Sequence, residues 1–294
     1  MSNISSYSRG IIMSGVGMLI LSPDGLLLRL VTDASLWVVI FYRSIFVAMA
    51  ASVFLLIKKR TNFLFAFINL GWAGWSSAVL MTISGLTFVG AMANTSVANT
   101  LFILATMPFF SAILGWFFLG EFVRLRTWIT ITLAFMGILV IFSGSFSSGN
   151  WLGDTLATVT AFLQGLNIVV IRKARKRDVT IPAFCASAFL ATLIALPLAD
   201  ILTVSSNDLF HLSLMGLMVV PIGLGLFLSG ARYAPAAEVA LLALVETVLG
   251  PMWVWLFIGE VPTQSAIIGG SIVILSVVLN TWYGVHNANE KVKH

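Results

Sequence analysis

The chain has 294 residues, of which 59% are hydrophobic and only 9% are charged, and its mean hydropathy is +1.04. A soluble domain carries roughly 25% charged residues, so the 16 basic and 11 acidic side chains are too few to cover the surface of a soluble 31.8 kDa protein. The composition therefore excludes a soluble enzyme and a disordered chain. Because Cys185 is the single cysteine, it also excludes a disulfide scaffold.

Ten apolar runs follow one another along the chain, each near the length that an α-helix needs to cross a bilayer. A membrane-spanning helix takes about 20 mostly apolar residues, and the runs lack the alternation of barrel strands. They fall at 10–31, 35–57, 68–91, 96–119 and 127–145, and then at 151–172, 181–203, 210–231, 236–259 and 263–285. The sequence therefore predicts an all-α integral membrane protein with ten transmembrane helices, surrounded by a lipid bilayer.

The basic residues predict the orientation of these helices. If the N-terminus is cytoplasmic, the ten spans place every Lys and Arg except Arg29 and Arg43 on the cytoplasmic side. Cytoplasmic loops collect Lys and Arg, so we expect a multi-pass protein of the cell inner (plasma) membrane with both termini in the cytoplasm. This distribution accounts for the pI of about 9.7, and no nucleic-acid partner is expected.

The two halves of the chain show an internal repeat. With a constant offset of 139 positions, residues 94–121 align with residues 233–260. Identical residues stand at Ala98/Ala237, Trp116/Trp255, Phe118/Phe257, Gly120/Gly259 and Glu121/Glu260. The offset equates the fourth span with the ninth, and a repeat of five helices must be inverted because five crossings end on the opposite side. Inverted repeats are typical of secondary transporters.

These features resemble the drug/metabolite transporter superfamily, EamA type. The resemblance covers nearly the whole chain and rests on the two five-helix halves and on the pairs Gly120-Glu121 and Gly259-Glu260. It implies a 5+5 helical fold around a central cavity, with halves at 1–145 and 146–294, and the movement of small metabolites, commonly outward. The second half departs at Ser276, where the counterpart of Gly137 would stand, and no substrate-defining motif is recognised.

Glu246 lies near the middle of the ninth span, where an ionisable side chain is costly. Burial in a low-dielectric interior favours the neutral form of a carboxyl group. We therefore interpret Glu246 as a proton-binding or substrate-binding group, with a hydrogen-bonded structural role as the alternative. Its repeat partner is Met107, and such asymmetry is typical of a site residue.

Arg43 and Asp24 are the other charged candidates at membrane depth. Arg43 could clamp a substrate carboxylate, or it could pair with Asp24 or extend to the membrane surface. Asp24 follows Ser22-Pro23 and precedes Gly25, a sequence that predicts a break or kink in the first span. The half-helix ends at such a break could face an ion or substrate; the alternative is a simple kink with Asp24 as a cap.

Two further pairs occupy equivalent places in the fourth and ninth spans. Pro108 and Pro251 predict paired kinks that could serve in gating. Asn99 and Glu238 stand near the starts of the two helices and could line the same pathway. Glu260, like its partner Glu121, is expected to cap or pair at the membrane edge rather than to bind substrate.

Several tryptophans could form an aromatic wall for a flat or cationic substrate, among them Trp72, Trp75 and Trp253. Tryptophans of membrane proteins also serve as anchors at the membrane surface, and that role is the alternative here.

The sequence therefore predicts a secondary transporter that exports a small metabolite by alternating access. An acidic and a basic group beside one cavity suit a zwitterion such as an amino acid, with protons as a possible coupling ion. A rival is a multidrug exporter of lipophilic cations that uses the buried Glu and the aromatic wall. A membrane enzyme is disfavoured because the chain has no GxxxxGK[ST] or HExxH motif. No cofactor or metal is expected, and either a monomer or a homodimer would be compatible.

Overall fold

The computed structural model describes residues 6–59, 63–120, 125–174, 179–234, 239, 242–276 and 279. The helices of the first half are α1 (Ser6–Leu21), α2 (Asp24–Arg29), α3 (Leu36–Lys59), α4 (Phe63–Ile68), α5 (Gly71–Asn94), α6 (Val97–Leu104), α7 (Met107–Leu119) and α8 (Leu125–Ser148). Those of the second half are α9 (Trp151–Lys173), α10 (Thr180–Ala195), α11 (Ser206–Leu214), α12 (Val220–Gly230), α13 (Leu244–Ile258) and α14 (Gln264–Ser276). A π-helical turn, Met215–Val219, joins α11 to α12.

Six helical segments of the described chain are long and apolar enough to cross a membrane. They are Ser8–Arg29, Leu36–Ile57, Gly71–Asn94, Val97–Leu119, Trp151–Lys173 and Ser206–Gly230. Four shorter apolar helices are Trp128–Gly144, Thr180–Ala195, Leu244–Ile258 and Gln264–Ser276. Each of these segments lies in or overlaps one of the ten predicted ranges. The protein is thus a multi-pass helical membrane protein, and its division into ten spans of 5+5 topology stays a prediction.

Two of the apolar segments are interrupted at membrane depth, and a helix of a third begins directly after a turn. The first segment breaks at Ser22 and Pro23, between α1 and α2, and the fourth breaks between α6 and α7. In the second half a turn at Leu242 and Ala243 precedes α13. Broken helices expose backbone groups that a ligand or the water of a cavity can hydrogen-bond. These three points are therefore candidate positions for a binding site.

We divide the helices that line the cavity, together with α11, into two groups by their packing and by their place in the internal repeat. The first lobe, as we use the term, consists of α1, α2, α3, α11, α12 and α13, and the second lobe consists of α5, α6, α7, α9 and α10. In the first lobe α1 packs on α12 and α13 packs on α2, while in the second lobe α9 packs on α5 and α7. The lobes meet where α3 packs on α10 and where α13 packs on α6.

Glycines allow the closest helix contact in the first lobe, between α1 and α12. A Cβ at Gly17 would overlap the backbone of Gly223 and Phe227, and one at Gly230 would overlap Gly10 and Ser14. The Ser14 hydroxyl donates a hydrogen bond to the Phe227 carbonyl at 2.9 Å. Small residues bring membrane helices together in this way because close backbone approach increases van der Waals contact.

Candidate functional site

A cavity lies between the two lobes and is lined by residues of both. The empty space between its lining atoms is about 1230 Å³, the open mouth included. Its walls come from spans of both halves of the chain, and the breaks before α2 and α13 both lie against it, since Asp24 and Ala243 are lining residues.

The three charged candidates of the sequence, Asp24, Arg43 and Glu246, all line this cavity. Asp24 and Glu246 are only 1% and 7% exposed. Arg43 reaches from α3 to the start of α2, where its Nη2 donates to Asp24 Oδ2 at 2.7 Å. Asp24 and Arg43 both lie close enough to act electrostatically on Glu246. Residues separated by more than 200 positions in the sequence thus form one charged cluster.

Local helix geometry places each of these side chains. Pro23 has no backbone N–H to donate, and the chain restarts at Asp24, with the Leu27 amide donating to the Pro23 carbonyl at 3.0 Å. Glu246 stands in the first turn of α13, where the helix dipole favours a negative group. Both carboxyl groups therefore lie at the N-terminus of a half-helix.

The cluster has unused hydrogen-bonding capacity. Asp24 Oδ1 and Arg43 Nε are buried without a hydrogen-bond partner, and Glu246 has no hydrogen bond within the described part of the chain. A buried polar atom without a partner costs roughly 1–3 kcal/mol, which is a cost that a ligand can remove. With all three groups ionised, two carboxylates face one guanidinium, so the cluster carries one negative charge in excess.

Uncharged polar residues complete the cavity wall, and sequence reasoning missed them. They are Ser44, Thr82, Ser84, Gln164, Asn167, Ser187 and Thr247. Asn167 is committed to the fold because its Oδ1 accepts a hydrogen bond of 2.6 Å from Ser77. The half-buried Gln164 has no hydrogen-bond partner in the described part of the chain. An amide within an apolar run was the signal that could have identified Gln164.

The remainder of the wall is apolar and contains methionine and phenylalanine rather than tryptophan. Met18, Met81, Phe184 and Phe227 line it. The guanidinium of Arg43 lies 5.7 Å from the ring centre of Phe88, within cation–π distance. These side chains offer an adaptable apolar surface beside the charged cluster.

The tryptophan candidates lie elsewhere. Trp72 and Trp75 are 63% and 45% exposed on α5, and neither lines the cavity. Trp72 packs under the ammonium group of Lys173 at 5.8 Å, as membrane-surface tryptophans do. Trp253 donates from Nε1 to Ser22 Oγ at 3.1 Å, which joins α13 to the break in the first span.

The two proline candidates of the fourth and ninth spans differ in their positions. Pro108 is one of the first residues of α7, where its missing N–H costs no hydrogen bond. Pro251 lies inside α13. Asn99 is buried near the start of α6, away from the cavity wall, and its Nδ2 donates to Asp154 Oδ1 at 3.3 Å. Glu238 lies outside the described residues.

Comparison with known proteins identifies the family of this chain. The model of the EamA-like transporter family matches residues 5–143 and again residues 151–282. The chain belongs to the EamA-like transporter family. An uncharacterized transporter of Synechocystis sp. is 25% identical over 226 residues, which are 70% of this chain and 64% of that protein. A solved crystal structure with 14% sequence identity superposes with a TM-score of 0.71 over 94% of this chain and 98% of its own length, and this likeness concerns the fold alone.

The Gly-Glu pair of the second EamA match holds the ends of three helices. Gly259 ends α13 with a φ of 79°, a left-handed conformation that glycine adopts without strain. The turn directs Glu260 to Arg29, with Oε2 3.0 Å from Nε, and its Oε1 accepts a hydrogen bond of 3.0 Å from the Val97 amide. Glu260 thus caps α6 and pairs with the end of α2. Glu121, its repeat partner, lies outside the described residues.

Proposed function

We propose that this EamA-family transporter moves a small metabolite with an amino group, of which a zwitterion such as an amino acid is the best fit, by alternating access. The observation that carries the proposal is the cluster of Asp24, Arg43 and Glu246 in a cavity between two lobes. Membrane transporters keep ionisable groups at depth where they bind substrates or ions. The direction proposed is export.

The division into inverted halves, 1–145 and 146–294, is part of the proposal. The family model matches once in each half, and the helix contacts support it. The repeat pairs each span with the span in the same place in the other half: α5 with α12, α6 with α13, and α9 with the first span, which consists of α1 and α2. The α5–α9 contact then corresponds to the α12–α1 contact, and the α6–α9 contact corresponds to the α13–α2 contact. The same pairing exchanges the first lobe with the second. Rocking of similar units about a central site is the usual mechanism of such folds.

The charged cluster suits both ends of a zwitterion. The ammonium group would lie between Asp24 Oδ1 and Glu246, since the first oxygen has no partner and the second carboxyl group has no hydrogen bond in the described chain. The carboxylate would accept from Arg43 Nε, which is also free. The apolar wall with Phe88 and Phe184 would contact the side chain of the substrate.

Glu246 is proposed to couple transport to protons. A proton on Glu246 removes the excess negative charge of the cluster, and a substrate ammonium group would compete with that proton for the same carboxylate. Competition at one site is the simplest way to exchange a proton for a substrate. The outcome would be proton-coupled export across the inner membrane, with both termini in the cytoplasm as the distribution of Lys and Arg predicts.

A second candidate is the export of lipophilic cations. The observation in its favour is the excess carboxylate beside a wall of methionine and phenylalanine. The tryptophans proposed for that role lie outside the cavity, so the wall in this version consists of Phe88, Phe184 and Phe227.

The experiment is a counterflow screen with the purified protein in proteoliposomes. The proteoliposomes are preloaded in turn with each of a panel of labelled amino acids and amines. Two classes of compound are tested as competitors: neutral amino acids, including aromatic ones, and quaternary ammonium compounds. The proposal predicts competition by amino acids and loss of that competition in Glu246→Gln. Asp33→Asn is the control, because Asp33 is exposed and does not line the cavity. Competition by quaternary ammonium compounds without any by amino acids would favour the second candidate. Absence of counterflow with every compound would contradict both.

A further inference from the structure

Two arginines join the lobes at opposite ends of the helix bundle. Arg29 of the first lobe donates from Nη2 to the carbonyl of Thr95, in the turn before α6 of the second lobe, at 2.7 Å. Arg172 of the second lobe donates from Nη1 to the carbonyl of Ala234, in the turn after α12 of the first lobe, at 2.7 Å. The arginine therefore belongs to the first lobe in one contact and to the second lobe in the other.

The acceptors of the two contacts are equivalent under the internal repeat, and the two arginines lie one helical turn from equivalent positions, 143 residues apart rather than 139. The offset of 139 positions that aligns the fourth and ninth spans converts Thr95 into Ala234. Arg29 stands in the last turn of α2 and Arg172 in the last turn of α9, so each ends the first span of its half. Each half therefore contributes one arginine, at the end of its first span, and one backbone acceptor, just before its fourth span.

The two contacts lie at opposite ends of the spans. Gly10, in the first turns of α1, is packed against Tyr233 and Ala234, whereas Arg29, after the 22 residues of the segment Ser8–Arg29, reaches Thr95. A helix of that length rises roughly 33 Å, which is about the thickness of the hydrocarbon core. One contact therefore lies near each membrane surface.

Several other polar contacts of the described residues lie within one lobe, although Thr247 of α13 also donates across the lobes to the Leu101 carbonyl of α6 at 3.3 Å. The Asp24–Arg43 pair joins α2 and α3, and the Ser77–Asn167 hydrogen bond joins α5 and α9. Asp208 of α11 accepts three backbone hydrogen bonds, of 3.1, 3.0 and 2.8 Å, from the amides of residues 32–34, between α2 and α3. Such bonds make each lobe a unit, and contacts between lobes are those that a relative motion must change.

We propose that Arg29 and Arg172 are positioning residues that act as a pair of latches, one at each end of the cavity. The inference rests on the proposed alternating access: opening toward one membrane face breaks one arginine–carbonyl bond while the other holds its end closed. Glu260 strengthens the Arg29 latch because it holds the guanidinium and the Val97 amide of the opposite lobe together. A guanidinium that donates to a main-chain carbonyl suits this role, since the bond is charge-assisted and can form again without any change of side chains on the acceptor.

The test measures access to the cavity from each membrane face. A reporter cysteine replaces Ser84, a buried residue of the cavity wall on α5, in a Cys185→Ser background that has no other cysteine. Intact cells and inverted membrane vesicles are treated with a membrane-impermeant thiol reagent. Arg29→Ala is expected to raise the labelling rate about tenfold from the membrane face at which Arg29 lies and to lower it from the other. Arg172→Ala is expected to do the opposite.

The control is Arg9→Ala. Arg9 lies 5.5 Å from the ring centre of Tyr233, near the Arg172 contact, but its partner belongs to the segment that follows α12 of its own lobe. We expect no change in the labelling of either face. If an arginine variant does not fold, Glu260→Gln provides a weaker opening of the Arg29 end.

Opposite shifts for the two arginines support the latches. Equal shifts of the same sign, or none, would overturn them, because a merely structural role has no reason to favour one membrane face. The result is separate from that of the counterflow screen. Opposite shifts without counterflow would support the latches and refute the proposed substrates. Counterflow without shifts would support the proposed substrates and refute the latches.

Discussion

At the scale of single residues, the Asp24–Arg43 ion pair joins two helices and also lines the cavity. It is nearly fully buried, with side chains 2% and 13% exposed. The sequence alone allows Arg43 either to pair with Asp24 or to receive a substrate. The structure places Arg43 so that it does the first with Nη2 and keeps Nε available. A pair that is both structural and accessible can exchange one partner for a substrate group.

Arg43→Ala is expected to lower the stability of the protein by about 3–5 kcal/mol, because it leaves the buried Asp24 carboxylate without its counter-charge. The double variant Asp24→Asn/Arg43→Gln should recover most of that loss, since neither partner of the ion pair is left charged without the other, but it should not restore transport. Thermal unfolding in detergent and counterflow measure the two effects. A double variant as unstable as Arg43→Ala alone would show that the ion pair is not the source of the loss.

Gln164 and Asn167 are two amides of the same helix with different expected roles. Gln164→Leu should leave thermal unfolding within about 0.5 kcal/mol of the wild type and raise the apparent KM in counterflow, because the amide is available only to the substrate. Asn167→Leu should lower stability by about 1–3 kcal/mol, because it removes the acceptor of the buried Ser77 hydroxyl. Equal losses of stability in the two variants would contradict this distinction.

At the scale of helices, the positions of the breaks decide where the site forms. The break at Pro23 was predictable because proline and glycine flank it, and the apolar ranges were predictable because hydropathy alone defines them. The turn before α7, at residues 105–106, falls beside Pro108, where the sequence predicts a kink. The turn before α13 was not predictable, since residues 242–243 contain neither proline nor glycine. Such a break depends on packing in three dimensions, which a one-dimensional pattern does not contain.

Helix packing gives a prediction with a matched control inside one helix. Gly17→Ala should destabilise the protein by roughly 1–3 kcal/mol, because the new Cβ would meet the Gly223 carbonyl and the Phe227 amide. Gly15→Ala, two residues away on α1, meets no atom within 4 Å and should leave stability unchanged or raise it slightly. Thermal unfolding of both variants is the measurement, and an equal loss in both would refute the close contact between α1 and α12.

At the scale of the whole molecule, the sequence identifies three charged residues that line the cavity, but not which helices bring them together. Asp24, Arg43 and Glu246 were found from their depth alone, because an ionisable group in an apolar run is costly wherever the run folds. The sequence places Arg29 and Arg172 near the membrane surface but does not predict their contacts, because their acceptors are backbone carbonyls that no sequence motif marks. The exposed Trp72 and Trp75 show the reverse: a residue type suited to a site is not evidence of its location.

The central claim is that Glu246 couples proton movement to substrate movement, and its most direct test is substrate accumulation driven by a pH gradient in proteoliposomes. The substrate is the amino acid that competes best in the counterflow screen. We expect wild type and Asp33→Asn to accumulate it when a gradient is imposed, whereas Glu246→Gln should not, because a glutamine cannot bind and release the proton. Accumulation by Glu246→Gln at the wild-type rate would contradict the claim.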